Sequence, residues 1–136
     1  MPSTIKLEIV TPHGIAYSDD VDIVTLRAAE GQIGVLPHHV RLMTRLEPGE
    51  LIIRKNGQEK FLAMGGGLAE VRGEHISIAT DMAVAVENID EVAVEEARQR
   101  AARRLHEKIS SEEVATVNAS LARSLAQLRV KRRHRT

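Results

Sequence analysis

Ile5, Leu7 and Ile9 alternate with Lys6 and Glu8, and that period of two predicts a half-buried β-strand. Val21 and Ile23 continue the pattern through Val24 and Leu26. Leu51-Ile52-Ile53 leads into Lys55-Asn56-Gly57-Gln58, whose Asn-Gly pair predicts a hairpin turn. Phe61-Leu62-Ala63-Met64 reads as the returning strand. Leu68-Ala69-Glu70-Val71 runs to a second turn at Arg72-Gly73, followed by His75 to Ala79 and by Met82-Ala83-Val84. Short strands punctuated by Gly and Pro predict an all-β sandwich or barrel over residues 1–87.

After Glu87 the period changes, and residues 88–136 contain no Gly or Pro. Asn88 and Asp90 are candidate N-caps, with Glu91, Glu95 and Glu96 where a helix dipole favours acids. Val92, Ala97, Ala101, Leu105 and Ile109 predict a first helix over about 90–109. Ser110 with Glu113 fits a capping box for a second, about 111–131, with an apolar stripe of Val114, Val117, Leu121, Leu125 and Leu128. Ala97, Ala101, Ala115, Ala119, Ala122 and Ala126 let the two helices pack closely as an antiparallel hairpin. At 1.5 Å per residue each helix would be roughly 30 Å long. A pair this short is marginal alone and needs a surface to lean on.

Charge sharpens the division. Of 19 basic and 19 acidic residues, residues 1–97 hold 8 and 16, leaving 11 and 3 for residues 98–136. The body is net −8 and the tail net +8, so the tail lies against the body or visits an acidic partner. The absence of cysteine excludes thiol chemistry and disulfides. No stretch is apolar for long enough to span a bilayer, and no signal-peptide pattern opens the chain. Tyr17 and Phe61 are the only aromatics, too few for a base-stacking surface.

Three stretches invite chemistry. Pro37-His38-His39 supplies two imidazoles, but adjacent residues of an extended segment point to opposite faces and no third ligand sits at metal spacing. No acid, base or nucleophile set surrounds the pair. Gly65-Gly66-Gly67 leads into a strand instead of a helix, so it reads as a tight bend and not a phosphate loop. The basic run from Arg129 to Arg135 leaves a nucleic-acid-binding module open as a reading, against which the acidic body argues.

The words "LEIVTPHG" (7–14), "AEGQIGVLP" (29–37), "LEPGELII" (46–53), "GGGLAEV" (65–71) and "SLAQLRV" (124–130), taken in order, resemble the epsilon subunit of F-type ATP synthases over nearly the whole chain. The resemblance implies a ten-stranded β-sandwich followed by two α-helices. It implies a non-catalytic, cofactor-free rotor subunit, peripheral on the cytoplasmic face of a bacterial plasma membrane or its organelle equivalent. The implied partners are the gamma subunit, the polar loops of the c-ring and, for an extended hairpin, the catalytic beta and alpha subunits. Neither nucleic acid nor direct membrane insertion is implied. The hairpin is expected to restrain ATP hydrolysis; a purely structural linker of the same complex is the alternative.

The resemblance also assigns residues. The family turn Leu-Pro-Gly-His matches here at Pro37 and His39, with His38 in place of the glycine, and Gln32 falls where a polar c-ring contact is common. If the glycine serves a positive φ, His38 must adopt one. Arg98, Arg103, Arg104, Arg123, Arg129 and Lys131 would form a basic lever facing acidic partner loops. A nucleotide word of some members is reduced to Ile89-Asp90-Glu91-Val92-Ala93-Val94, in which Ala93 replaces an arginine. Asp90, Arg100 and Arg123 match its charged positions, while Gln127 stands for another arginine. Losing two charge-assisted phosphate contacts predicts weak or absent ATP binding.

Overall fold

A computed structural model describes residues 3–134. Ten strands come first: β1 (Ile5–Thr11), β2 (Gly14–Val21), β3 (Ile23–Ala28), β4 (Gly31–Val35), β5 (Leu42–Leu46), β6 (Gly49–Lys55), β7 (Gln58–Met64), β8 (Gly67–Arg72), β9 (His75–Thr80) and β10 (Ala83–Ala85). A 3₁₀ turn at Val86–Asn88 leads to helices α1 (Glu91–Arg104) and α2 (Ser111–Arg133).

The strands run in the order β10-β7-β6-β3-β5-β8-β9-β1-β2, with β4 on β3. β3 and β5 share one paired position, Ala28 with Leu46. β1 and β9 are parallel, and every other pairing among the described residues is antiparallel. The alternation seen in sequence becomes the core. Ile5, Leu7 and Ile9 face Val24, Leu26, Leu51, Ile53, Val71, Ile76 and Ile78 in one continuous aliphatic cluster. The turn Asn56-Gly57 has both residues at positive φ, as a type I′ hairpin requires.

The glycine run joins β7 to β8 as the expected bend. It is needed for close approach, not for positive φ. A Cβ at Gly67 would lie 2.0 Å from the backbone oxygen of Ala79, and one at Gly65 would lie 1.8 Å from Asp81 Oδ1.

Both caps form. Asp90 Oδ1 accepts from the Ala93 N–H at 3.2 Å, and Ser110 Oγ accepts from the Glu113 N–H at 3.2 Å. Three sequence expectations need correction. The first helix ends at Arg104 and not near Ile109. Ile109 instead takes the N′ position before α2, with Val114 at N4, the two positions of a hydrophobic staple, so its apolar side chain serves the entry to the second helix. Val92 is 70% exposed and Leu125 is 39% exposed, so neither lies on the packed stripe. Ala101 is buried on α1, and Ser124, Ala126, Leu128 and Val130 on α2. Burial at alternate positions of a helix requires contact on two opposite sides. α2 is wedged between the sandwich and α1, which a one-sided stripe does not anticipate.

Leu62, Ala63 and Met64 are buried in succession on β7. Leu62 and Met64 enter the core, while Ala63 points outward and lies beneath α2 with Ile89 and Val130. Met82, Val84, Val86 and Val94 rim that second cluster.

Gly67→Ala is expected to destabilise the protein by about 2–3 kcal/mol, because the added methyl meets backbone that cannot turn aside. A lower denaturation midpoint at unchanged m-value is the readout; an unshifted midpoint would contradict the packing.

Candidate partner-contact surfaces

The Pro37-His38-His39 segment is a type II turn. The Leu36 carbonyl accepts from the His39 N–H at 3.2 Å, Pro37 fills the second position and His38 the third, at φ 68°. The third position of this turn favours glycine, and His38 occupies it without one. His38 Nδ1 lies 3.9 Å from Glu74 Oε1, with both side chains well exposed, so the contact adds little. His39 is half-buried, and its Nδ1 is 2.7 Å from the neighbouring Val40 carbonyl. No group of three metal-ligating side chains occurs among the described residues. Leu36 and Val40 flank the histidines at 52% and 75% exposure, and Met43 on β5 is 66% exposed. Gln32 is exposed on β4 opposite Arg27. The turn therefore presents imidazoles and bare aliphatic groups together, and Leu36 and Val40 were not singled out from sequence.

The second surface is the seam between hairpin and body. Arg123 Nη1 is 3.1 Å from Asp81 Oδ2, Gln127 meets the Met82 sulfur, and Lys131 Nζ donates to the Val86 carbonyl at 3.1 Å. At the end of α2, His134 stacks on Phe61 with ring centroids 3.8 Å apart, and its Nε2 lies 2.5 Å from Glu50 Oε2. Arg133 reaches Glu50 Oε1 at 3.6 Å. The Glu50 side chain is only 10% exposed and is enclosed by these partners. The opposite side of α2 binds α1: Arg132 contacts Glu91 at 3.1 Å and Glu95 at 3.3 Å. Glu50, Asp81 and His134 were not singled out from sequence, and Phe61 was read only as a strand residue and one of two aromatics. The legible hint was Glu50, an acid between the buried positions Gly49 and Leu51 on a strand.

The proposed lever residues divide. Arg98 is paired with Glu95 at 2.6 Å, Arg104 bridges Glu107 and Glu113, and Arg123 and Lys131 hold the body. Arg129 donates to its own helix at the Leu125 carbonyl, and Arg103 is exposed without an ion pair among the described residues. Of the nucleotide-word positions, Asp90 is engaged as a cap, Arg123 is paired with Asp81, and Arg100 is exposed on α1. Arg135 of the basic run lies outside the described residues.

Two family profiles tile the chain. "ATP synthase, Delta/Epsilon chain, beta-sandwich domain" matches residues 4–86, and "ATP synthase, Delta/Epsilon chain, long alpha-helix domain" matches residues 87–132. The chain belongs to the ATP synthase epsilon-chain family. The ATP synthase epsilon chain of Halorhodospira halophila is 40% identical over 129 residues, covering 93% of this chain and 92% of that relative. The Bacillus subtilis epsilon chain is 41% identical over 103 residues, 76% of this chain and 78% of that one. Among solved structures, a chain of the Euglena gracilis mitochondrial ATP synthase, determined with its c-ring, superposes with TM-score 0.73 at 25% identity, covering 98% of this chain and 84% of that chain. A Tetrahymena thermophila central-stalk and c-ring structure shares the fold at TM-score 0.63 and 16% identity. This epsilon-family chain is accordingly a non-catalytic stalk subunit of an ATP synthase, a β-sandwich carrying a helical hairpin. No helix among the described residues is long and apolar enough to cross a membrane.

Two outcomes test these surfaces. His38→Gly should leave stability nearly unchanged, whereas the β-branched His38→Val should cost about 1–2 kcal/mol; equal midpoints for both variants in a urea series would refute the turn. Glu95 is held below its ordinary value of 4.5, first by the Arg98 hydrogen bond, then by the Arg98 charge, Gln99 and Arg132. A depressed folded pKa means that folding favours the ionised form. This contribution is complete above the ordinary value and is lost as pH falls through the lower folded one. The stabilisation that Glu95 gains chiefly from Arg98 within α1 should therefore be lost progressively below about pH 4.5, and Glu95→Gln should flatten that part of the titration followed by helix-proton NMR shifts.

Proposed function

We propose that this chain couples the c-ring to the gamma subunit during ion-driven ATP synthesis, and that its hairpin can leave the body to restrain ATP hydrolysis at the catalytic subunits. It would act as a peripheral subunit on the cytoplasmic face of a bacterial plasma membrane. The Pro37–His39 turn with Leu36, Val40 and Gln32 is the proposed c-ring contact. The basic residues of the helices are the proposed contacts for acidic partners.

One observation carries the mobile part of this reading: the body owns its core, and the hairpin borrows a small patch. The aliphatic cluster of the sandwich contains no helical residue. The dock centres on Ala63, Ile89 and Val130, and fully burying a Val or Ile is worth about 1.5–3 kcal/mol. The Arg123–Asp81 pair is more than a third exposed on both sides and adds at most about 1 kcal/mol. A dock of a few kcal/mol is the scale on which a partner can shift a two-state equilibrium. The same acidic groups that receive Arg123 and Arg133 on the body can be exchanged for acidic groups elsewhere.

Deleting residues 88–136 from the assembled complex separates inhibition from a purely structural role. Hydrolysis by the complex is expected to rise while gamma and c-ring remain attached. Unchanged hydrolysis would leave the hairpin a fixed linker, and loss of gamma from the complex would remove the coupling role from the sandwich.

A further inference from the structure

The hairpin grips the body at two successive residues after β9. One helical turn apart on α2, Arg123 pairs with Asp81 and Gln127 with Met82. In the second contact Gln127 Nε2 donates to the Met82 sulfur at 3.1 Å. A thioether is a weak acceptor and an oxidisable one. Of the four methionines, Met1 lies outside the described residues and the other three differ in access. Met64 is 1% exposed in the sandwich core, and Met43 is 66% exposed on β5. Met82 is half-buried on the rim of the Ala63–Ile89–Val130 cluster. It also lines a depression of about 450 Å³ between the β1–β2 turn, β10 and α2, with His13, Ala83, Arg123 and Gln127. A small solute in that depression reaches the residue without any unfolding. The backbone there has no slack: the Met82 carbonyl accepts from the Gly65 N–H at 2.9 Å, and the Met82 N–H donates to the Thr80 hydroxyl at 3.4 Å.

We infer that Met82 is a modification site for hydrogen peroxide, and that its sulfoxide loosens the docked hairpin. A sulfur lone pair attacks one peroxide oxygen. The S–O bond forms as the O–O bond breaks, and the departing hydroxide takes the proton of the transferred hydroxyl to leave as water. The thioether gives up two electrons and the peroxide gains them. Sulfur in the product carries partial positive charge, so the Gln127 N–H loses its acceptor there. An oxygen added on the Gln127 side finds no room within a 3.1 Å contact, and one added on the other side draws water to the rim of an apolar cluster. Met82 is pinned by its backbone, so α2 is the part that yields. Sulfoxide reductases reverse the change. The effect acts on the docked hairpin itself and stands or falls separately from any restraint of hydrolysis.

Peroxide treatment of the full chain, followed by peptide mass spectrometry and amide hydrogen exchange, tests the site. Met43 is expected to oxidise first, Met82 next, and Met64 only on unfolding. Once Met82 is oxidised, the amides of residues 126–130 should exchange roughly 10-fold faster, and sulfoxide reductases should restore the slow rate. Met43→Leu should keep this response. Met82→Leu, which conserves volume, should exchange slowly before and after peroxide. Oxidation of Met82 no faster than that of Met64, unchanged exchange once Met82 is oxidised, or an equal loosening in peroxide-treated Met82→Leu would each overturn the inference.

Discussion

The outward face of β7 constrains everything the helices do. Ala63 is the small residue that lets α2 approach the sheet, and around it Ile89 and Val130 close a small patch rimmed by Met82, Val84, Val86 and Val94. A larger apolar face there would bind the hairpin permanently, and a polar one would not seat it. The polar contacts sit along the margin of this patch: Arg123 with Asp81 near its start, Lys131 with the Val86 carbonyl midway, and His134 with Phe61 and Glu50 at its end. They orient α2 and add modest energy. α1 is held mainly through α2, by Arg132 with Glu91 and Glu95.

The body answers to a different constraint. Its layers close on Val, Ile and Leu without a helical side chain in the core, and the turns at 56–57 and 65–67 are shaped by glycine where a side chain would collide or strain. This independence from the helices is the physical basis on which we propose coupling for the sandwich and regulation for the hairpin. At the opposite end of β4 from Gly31, the type II turn sets His38 at positive φ and lifts Leu36 and Val40 into solvent. A rigid turn with bare aliphatic groups suits a contact that is used continuously. A seam of exchangeable ion pairs suits one that is used intermittently.

Much of the architecture was legible in particular residues. Period-two alternation marked β1 and β9, Asn56-Gly57 marked the β6–β7 hairpin, and Asp90 and Ser110 marked both helix starts, since each signal is a local property of backbone and neighbouring side chains. The end of α1 was misplaced because Ile109 carries the helical period yet serves the next helix. Val92 and Leu125 were misassigned because periodicity reports an apolar stripe without saying how many partners a helix has. The acidic body and basic tail were visible as totals, but not that Glu50 and Asp81 were the acids that matter.

What the sequence alone determined is thus most of the strands, both helix starts, the change from strand period to helix period, and the family, with a positive φ at His38 expected if the family glycine serves one. These rest on short-range chemistry and on ordered words that survive in one dimension. Only the tertiary structure decided that Ala63 faces α2, that Phe61 stacks on His134, and that Gln127 meets the Met82 sulfur. Those pairings join residues far apart in the chain, and their existence depends on how two layers and a helix pair are stacked, which no local pattern encodes.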